Sequence, residues 1–143
     1  GQLGTGLGLA VDMYAMQAVP EPIETDELAQ RTVTKIAAGH SHAACLTKSG
    51  EVFFWGSSLH LEPVRVDALL HTKIIDISCG QDYTLALDDQ GKVYSFGKGK
   101  TGVLGQGSVT QLNQATIMEA LADKAVTSIS AGWKHAACTV NEN

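Results

Sequence analysis

"AAGHSHAACLTKSGEVFFWG", residues 37–56, aligns without gaps to "SCGQDYTLALDDQGKVYSFG", residues 78–97. Glycines coincide at three positions of the two stretches, as the pairs Gly39/Gly80, Gly50/Gly91 and Gly56/Gly97. A third copy, "SAGWKHAACTVNEN", begins at residue 130 and places Gly132 at the first of these positions. Because self-similarity at a fixed spacing indicates a repeat architecture, the chain is interpreted as successive copies of one unit.

Each copy divides into short strand-forming runs separated by turn residues. Apolar and polar residues alternate in "TVTKIAAG". Compact apolar runs follow in "AACLT" and "TLALD", and an aromatic residue precedes the final glycine in "EVFFWG" and "KVYSFG". "TKSG" and "DDQG" predict hairpin turns in which Gly50 and Gly91 adopt a positive φ. The runs predict paired strands, at 33–38, 43–47 and 52–55 and again at 74–77, 84–87 and 93–96. Units of roughly 40–50 residues with several short strands are typical of β-propeller blades, so we expect an all-β fold of four-stranded antiparallel blades.

A helical alternative exists in "ETDELAQRTVTKI", residues 24–36. Thr25 is a plausible N-cap for one turn of helix. The β-branched residues after Arg31 favour a strand, so we expect no more than that single turn.

The glycine-rich stretch "FGKGKTGVLGQG", residues 96–107, resembles a phosphate-binding loop only superficially. A P-loop needs a glycine five positions before its Gly-Lys-Thr, and Tyr94 stands there. The extra residues that separate the second and third copies all fall between Phe96 and Ala115. The stretch is therefore interpreted as a connector whose glycines form turns.

Composition narrows the classes of partner. The 143 residues carry a formal net charge of −5. Nucleic-acid binding depends on clustered Lys and Arg, so direct contact with nucleic acid by this segment is not expected. No apolar run approaches the roughly 18 residues of a membrane-spanning helix, so no membrane partner is expected either.

Three stretches together resemble the regulator of chromosome condensation repeat: "IAAGHSHAACLTKSGEVFFWG", "ISCGQDYTLALDDQGKVYSFG" and "ISAGWKHAAC", with "GQLGTG" and "GVLGQG" as linking motifs. The second copy departs from the pattern with Tyr83 in place of His, and the link after Trp55 lacks the Leu-Gly-x-Gly motif. The resemblance implies a seven-bladed β-propeller. Residues 1–143 would supply about two and a half to three blades, with repeats at about 1–58, 59–102 and 103–143, as a C-terminal portion of the ring.

The internal alignment explains the cysteines and histidines, which are candidate reactive residues, as structural residues. Cys45 and Cys138 coincide with an alanine, as does Cys79, so all three are predicted to be reduced, unpaired and largely buried in an intracellular protein. The site shared by His42, Tyr83 and His135 predicts a partly buried ring bonded to a backbone carbonyl.

Asp88 and Asp89 are predicted to be solvated turn residues rather than a catalytic carboxylate pair. No Ser/His/Asp or Cys/His grouping has supporting context. We therefore expect no covalent catalysis, no catalytic residue, no metal ligand and no cofactor.

The residues between each repeat glycine and the ring site differ among the copies. They are His40-Ser41, Gln81-Asp82 and Trp133-Lys134, in loops that a propeller presents on one face. Variation on a fixed scaffold is how a binding surface is made. The candidate partner-binding residues are accordingly His40, Gln81, Asp82, Trp133 and Lys134. In the exchange factor of the family that the sequence resembles, the residue before the ring site carries acidic groups that act on a small GTPase, and Asp82 matches that position.

Two functions follow from the resemblance. The first is a propeller scaffold that binds a protein partner through one loop face, and the alternative is a guanine-nucleotide exchange factor for a Ran-type small GTPase. The other expected partner is the rest of the propeller or a larger assembly, because open blade edges drive association. We expect an intracellular protein, located in the nucleus or the cytoplasm; location in an organelle is not excluded.

Overall fold

The computed structural model describes residues 2–5, 19–20, 22–57, 60–98, 111–117 and 123–141, with the backbone alone at 68, 98 and 111–117. These residues form strands β1 (Val33–Ala38), β2 (His42–Thr47), β3 (Val52–Gly56), β4 (His60–Arg65), β5 (Ile74–Cys79), β6 (Tyr83–Asp88), β7 (Val93–Lys98), β8 (Gln111–Ile117), β9 (Ala125–Ala131) and β10 (Ala136–Asn141). Short helical turns lie at α1 (Asp26–Ala29) and in a 3₁₀ helix at Asp67–Leu69. None of the described helices is long and apolar enough to cross a membrane.

The strands pair in sequence order into antiparallel sheets. Sheet I contains β1-β2-β3-β4, sheet II contains β5-β6-β7-β8, and pair III contains β9 and β10. The first two strands of sheets I and II are irregular at the same place, with register shifts between Val33 and Lys35 and between Ile74 and Asp76. The predicted four-stranded antiparallel blades and their strands are thereby confirmed, each within a residue or two of its expected bounds.

The hairpin turns after β2 and β6 use glycine as predicted. Gly50 has φ +92° and Gly91 has φ +81°, a backbone conformation that side chains with a Cβ rarely adopt. In the first turn the Gly50 N–H donates to Thr47 O at 3.0 Å, and the Thr47 N–H donates to Glu51 O at 2.9 Å. This pattern is a three-residue loop with a bulge at glycine.

Asp88 is not the solvated turn residue that the sequence predicts. Its side chain is buried, and Oδ1 accepts the N–H groups of Gln90 at 2.9 Å and Lys92 at 2.8 Å. Its Oδ2 accepts the hydroxyl of Tyr94 at 3.1 Å. Thr47, its counterpart in sheet I, accepts the Glu51 N–H through Oγ1 at 3.1 Å. Both side chains therefore stabilise their turns from within, whereas Asp89 is exposed as expected.

Neighbouring sheets meet at two interfaces, seam I between sheets I and II and seam II between sheet II and pair III. Seam I buries an apolar cluster contributed by both sheets and their connection: Ala44, Leu46, Val52, Val66, Leu69, Ile74, Ile77, Ala86 and Phe96. Seam II buries a second cluster: Tyr83, Leu85, Leu87, Val93 and Val126. At one end of each seam the hairpin glycine carbonyl accepts a backbone N–H of the next sheet, from Ile74 to Gly50 and from Val126 to Gly91, both at 3.1 Å.

The other side of sheet I is covered by the N-terminal residues. Phe53, Trp55 and Cys45 form a buried cluster against which Ile23 and Leu28 pack. The indole Nε1 of Trp55 donates to the carbonyl of Gln2 at 2.8 Å. The linking motif at residues 2–5 therefore docks onto the aromatic residue at the end of β3.

The expected helical turn forms, but its expected side-chain cap does not. Thr25 occupies the N-cap position of α1 with an extended backbone, and its side chain makes no capping hydrogen bond. The Thr25 Oγ1 atom is buried without a partner in the described part of the protein. A four-residue helix makes few intrahelical bonds, so tertiary packing of Leu28, rather than capping, stabilises this turn.

An isoleucine shows that the side of sheet I facing away from sheet II is only partly covered by the N-terminal residues. Ile36 is 75% exposed, whereas Ile77, at the same repeat position in sheet II, is 1% exposed in seam I. The same side chain is thus buried wherever a preceding sheet packs against it. This exposure supports the expectation that the segment functions alongside further blades.

Candidate interaction face

A tight turn joins the first two strands of each unit and places the ring site. The N–H of the repeat glycine donates to the carbonyl of the ring residue: Gly39 to His42 at 2.8 Å, Gly80 to Tyr83 at 2.8 Å, and Gly132 to His135 at 2.7 Å. The ring then folds back over its own glycine. A Cβ added at these glycines would lie 2.2, 2.0 and 2.6 Å from the ring, so any other residue there would require the ring to move.

The buried rings reach across the seams. In seam II the Tyr83 hydroxyl donates to the Gly132 carbonyl at 2.8 Å and also bonds to the His135 carbonyl. In seam I the Nε2 atom of His42 lies 3.1 Å from the Thr84 hydroxyl, in hydrogen-bond contact. The predicted ring-to-carbonyl bond is therefore correct for Tyr83. For His42 the carbonyls of Tyr83 and Gln81 also interact with the ring, and Nε2 in addition contacts a hydroxyl, because residue 84 is a threonine where the other copies have alanine.

Burial shifts the proton affinity of both rings. Burial is the largest influence on His42 and lowers its pKa below the usual 6.5, while the Asp82 carboxylate and the carbonyls of Tyr83 and Gln81 oppose it. Burial likewise raises the pKa of Tyr83, against the hydrogen bond to Gly132. Both side chains are thus held in their neutral forms.

The variable residues lie between the repeat glycine and the ring, and we call them the loop row: His40, Gln81, Asp82, Trp133 and Lys134. The backbone N–H of His40 donates to the Gln81 carbonyl at 3.1 Å. The rings of His40 and Trp133 meet edge to face, with centroids 5.2 Å apart and planes at 75°. Loops from sheet I, sheet II and pair III therefore form one continuous surface.

Members of the loop row differ in exposure. His40, Trp133 and Lys134 are exposed, and Gln81 and Asp82 are half-buried. Trp133 keeps 54% of its surface accessible in spite of its contact with His40. The structure thus brings together all five residues that the sequence selected. Their role in binding a partner stays a prediction.

Thr84 and Ser78 are seam residues that the sequence analysis missed. The Thr84 hydroxyl contacts His42, and the Ser78 Oγ accepts the N–H of Ala131 at 2.9 Å. A signal for Thr84 was present, because it is the polar member of a repeat position otherwise occupied by alanine.

The thiols are unpaired, but the sequence overestimates the burial of two of them. Cys45 is 1% exposed, whereas Cys79 and Cys138 are half-buried. Cys79 lies at the end of β5 beside the loop row, and Cys138 lies in pair III. Burial raises the pKa of Cys45 to about 11 and that of Cys79 to about 11, with a bond to Thr84 opposing the shift at Cys79. Thiols with such pKa values are poor nucleophiles at neutral pH.

We predict that Cys45→Ala lowers the free energy of unfolding by about 1 kcal/mol or less. Ala86 fills the same repeat position in sheet II and is itself fully buried, so the smaller side chain fits this slot. Urea denaturation of the variant measures the cost. Labelling of the native protein with a thiol reagent provides the control, with Cys45 reacting more slowly than Cys138; faster labelling of Cys45 would contradict its burial.

Among the described residues, no group of three or more His, Cys, Asp or Glu side chains is placed to hold a metal ion. One open surface groove among the described residues is lined by Arg31, Lys48 and Glu51, near the hairpin turn of sheet I. The Gly-Lys-Thr stretch at residues 99–101 lies outside the described residues.

Family comparison agrees with the repeats seen in the structure. A family model described as the regulator of chromosome condensation (RCC1) repeat matches residues 90–139, and a second model of the same repeat matches 33–60 and 74–102. Together they cover more than half of the chain. The chain therefore belongs to the RCC1 repeat family, and its sheets are β-propeller blades. Comparison with curated proteins finds no match.

Solved structures share the fold at low identity. Prp20p from Saccharomyces cerevisiae, described with its binding to Gsp1p and histones, has a TM-score of 0.71 and 17% identity over 78% of this chain and 32% of its own. Human WBSCR16 has a TM-score of 0.68 and 21% identity over 76% of this chain and 31% of its own. The ectodomain of the Physcomitrella patens receptor kinase CR4 has a TM-score of 0.58 and 15% identity over 89% and 32%. The chain thus spans about a third of the length of these propellers.

Proposed function

We propose that this chain is part of a protein-interaction propeller that binds a protein partner through the loop row. The observation that supports this function is the contact between His40 and Trp133, at 5.2 Å between ring centroids. This contact joins the loop of sheet I to the loop of pair III, and the His40 N–H also bonds to Gln81 of the sheet II loop. The three variable segments therefore make one surface. A propeller rim whose loops did not touch would offer only isolated side chains.

The chemistry of the loop row suits a protein surface. Tryptophan is enriched among the residues that dominate binding energy, and Trp133 offers more than half of its surface. Its edge contact with His40 restricts the indole before binding, so less side-chain entropy is lost on association. Asp82 and Lys134 place both charge signs beside it, which favours a partner with complementary charges over a purely apolar one.

We predict that the double variant Asp82→Ala/Trp133→Ala weakens partner binding at least about tenfold, or roughly 1.4 kcal/mol, because it removes the aromatic anchor and the adjacent carboxylate. Affinity capture with the full-length protein identifies the partner, and calorimetry with the purified partner measures the loss. The melting temperature should change little, since neither side chain belongs to a buried cluster.

A matched control lies at the opposite ends of the same strands. Lys48 and Asp89 are exposed hairpin residues, and their backbone N–H groups donate to Thr32 O and Lys73 O within their own sheets, bonds that alanine retains. Lys48→Ala/Asp89→Ala should therefore bind normally. If both double variants lose binding equally, or if the loop-row variant loses it by unfolding, the loop row is not the binding site.

Guanine-nucleotide exchange on a Ran-type small GTPase is the second candidate. Two features support it: the family contains Prp20p, described as binding Gsp1p, and Asp82 occupies the acidic position named above. Such a factor presses its propeller face onto the GTPase and loosens the nucleotide without covalent chemistry. Release of a fluorescent GDP from a Ran-type GTPase, with and without the full-length protein, tests this candidate. We also propose an intracellular location. The fold alone does not determine the location, because a receptor-kinase ectodomain has the same fold.

A further inference from the structure

The two seams are closed at the same repeat position by different side chains. Tyr83 closes seam II with a hydroxyl that donates to the Gly132 carbonyl at 2.8 Å. His42 closes seam I with an imidazole that contacts the Thr84 hydroxyl at 3.1 Å. Phenol and imidazole fill similar space, but only imidazole changes charge between about pH 5 and 8.

The surroundings of His42 accommodate a neutral ring. The side chain is 5% exposed, and its Nδ1 atom is buried without a hydrogen-bond partner in the described part of the protein. Neutral imidazole has one donor and one acceptor nitrogen, whereas the imidazolium has two donors and a full charge. Protonation would therefore bury a full charge and give the ring a second donor, while Nδ1 makes no hydrogen bond.

The groups that face His42 come mainly from sheet II. Asp82 is the charged group among them, and its carboxylate favours protonation, as do the carbonyls of Gln81 and Tyr83. The Cys79 thiol lies behind the Thr84 hydroxyl, 3.6 Å from its oxygen. From its own sheet, His42 meets the uncharged residues Gly39 and Gly56. The net result is still a lowered pKa, because burial outweighs the carboxylate and the carbonyls.

We infer that seam I is a pH-sensitive contact between the first two blades: neutral His42 closes it, and protonation of the ring loosens it, whereas seam II does not respond over the same range.

The direction of the effect follows from linkage. The pKa of His42 is lower in the folded protein than its ordinary value of 6.5, so the opened seam binds a proton more readily than the closed one. The closed seam is at full stability above about pH 6.5 and loses stability as the pH falls from there through the lower folded-state pKa. Tyr83, whose pKa is raised, stays neutral throughout this range, so seam II is unaffected.

The loop row lies directly above seam I. His40 precedes His42 by two residues, and its N–H bonds to the Gln81 carbonyl across the seam. Loosening the seam therefore separates the first loop from the second. A pH effect on partner binding rests on the proposed function, whereas the seam itself can be measured without any partner.

Hydrogen exchange of the full-length protein at about pH 7.5 and 5.5, corrected for intrinsic exchange rates, tests the inference. We expect residues 39–46 of sheet I to lose protection at the lower pH, while residues 126–132 of pair III, at seam II, keep theirs. Equal loss at both seams, or no loss at either, would overturn the inference.

Matched substitutions identify the group that titrates. His42→Tyr gives seam I the side chain that already works in seam II, and it should abolish the pH response. His135→Tyr, the same change at an exposed ring site, should leave the response intact. If His42→Tyr retains the response, another group is responsible. An NMR titration of the His42 ring in the unsubstituted protein needs no variant, and a ring that titrates at or above pH 6.5 would refute the proposal even if the variants fail to fold.

Discussion

Gly80→Ala is expected to destabilise the protein by roughly 3 kcal/mol or more, the upper end of the cost of overpacking. A Cβ at this position would lie 2.0 Å from Cε1 of Tyr83 and 2.6 Å from the carbonyl oxygen of Gly132. Neither neighbour can give way easily. The Tyr83 ring is buried and hydrogen-bonded to Gly132, so moving it opens seam II. Urea denaturation of the full-length protein measures the loss.

The same substitution at Gly132 is the control. There the added Cβ would meet the His135 ring at 2.6 Å, but that side chain is exposed and can adopt another rotamer. Gly132→Ala should therefore cost clearly less than Gly80→Ala. Equal costs would mean that the Tyr83 hydrogen bonds do not fix its ring.

Phe53→Ala should cost roughly 3–5 kcal/mol, the range for removing a buried aromatic side chain. Phe53 is fully buried beside Cys45 and Trp55, and Ile23 and Leu28 pack against this cluster. The guanidinium of Arg31 also lies 5.1 Å from its ring centroid, a cation–π contact. Loss of the ring should therefore loosen residues 22–29 as well as sheet I.

Phe53→Leu separates cavity formation from loss of the aromatic contact. Leucine refills much of the volume, so we expect a cost of about 1–2 kcal/mol. Chemical denaturation gives both values, and limited proteolysis reports whether residues 22–29 become accessible in the alanine variant. Similar costs for alanine and leucine would show that the lost ring contacts, rather than the cavity, determine stability here.

The strands and turns could be predicted because their causes are local. Gly50 and Gly91 need a positive φ, and apolar runs of five or six residues between such turns form strands wherever they are placed. The internal alignment adds information that a single repeat does not contain, namely which residues of different copies occupy the same position. It assigned three ring residues to one position and five variable residues to one face.

The errors concern contacts made across space. Asp88 is hydrogen-bonded to Tyr94 of the next strand, and the turn motif alone does not show that contact. The His42 partner is Thr84 of the next sheet, and an alignment of repeats does not show which residues of neighbouring copies touch. Thr25 has the residue type of a cap, but the final geometry leaves its hydroxyl without a partner. Residue type and spacing therefore predicted positions better than partners.

The backbone hydrogen bonds across the seams have an evolutionary consequence. The bonds from Ile74 to Gly50 and from Val126 to Gly91 join main-chain atoms, so they persist whatever side chains the first strand of a blade carries. Only the glycine is constrained, because a Cβ at either turn would approach the next sheet within 2.8 to 3.1 Å. Most side chains of a blade can thus be exchanged without removing the main-chain bonds that join it to the next blade. The superposition of Prp20p on this chain at 17% identity fits blade contacts that depend little on side-chain identity.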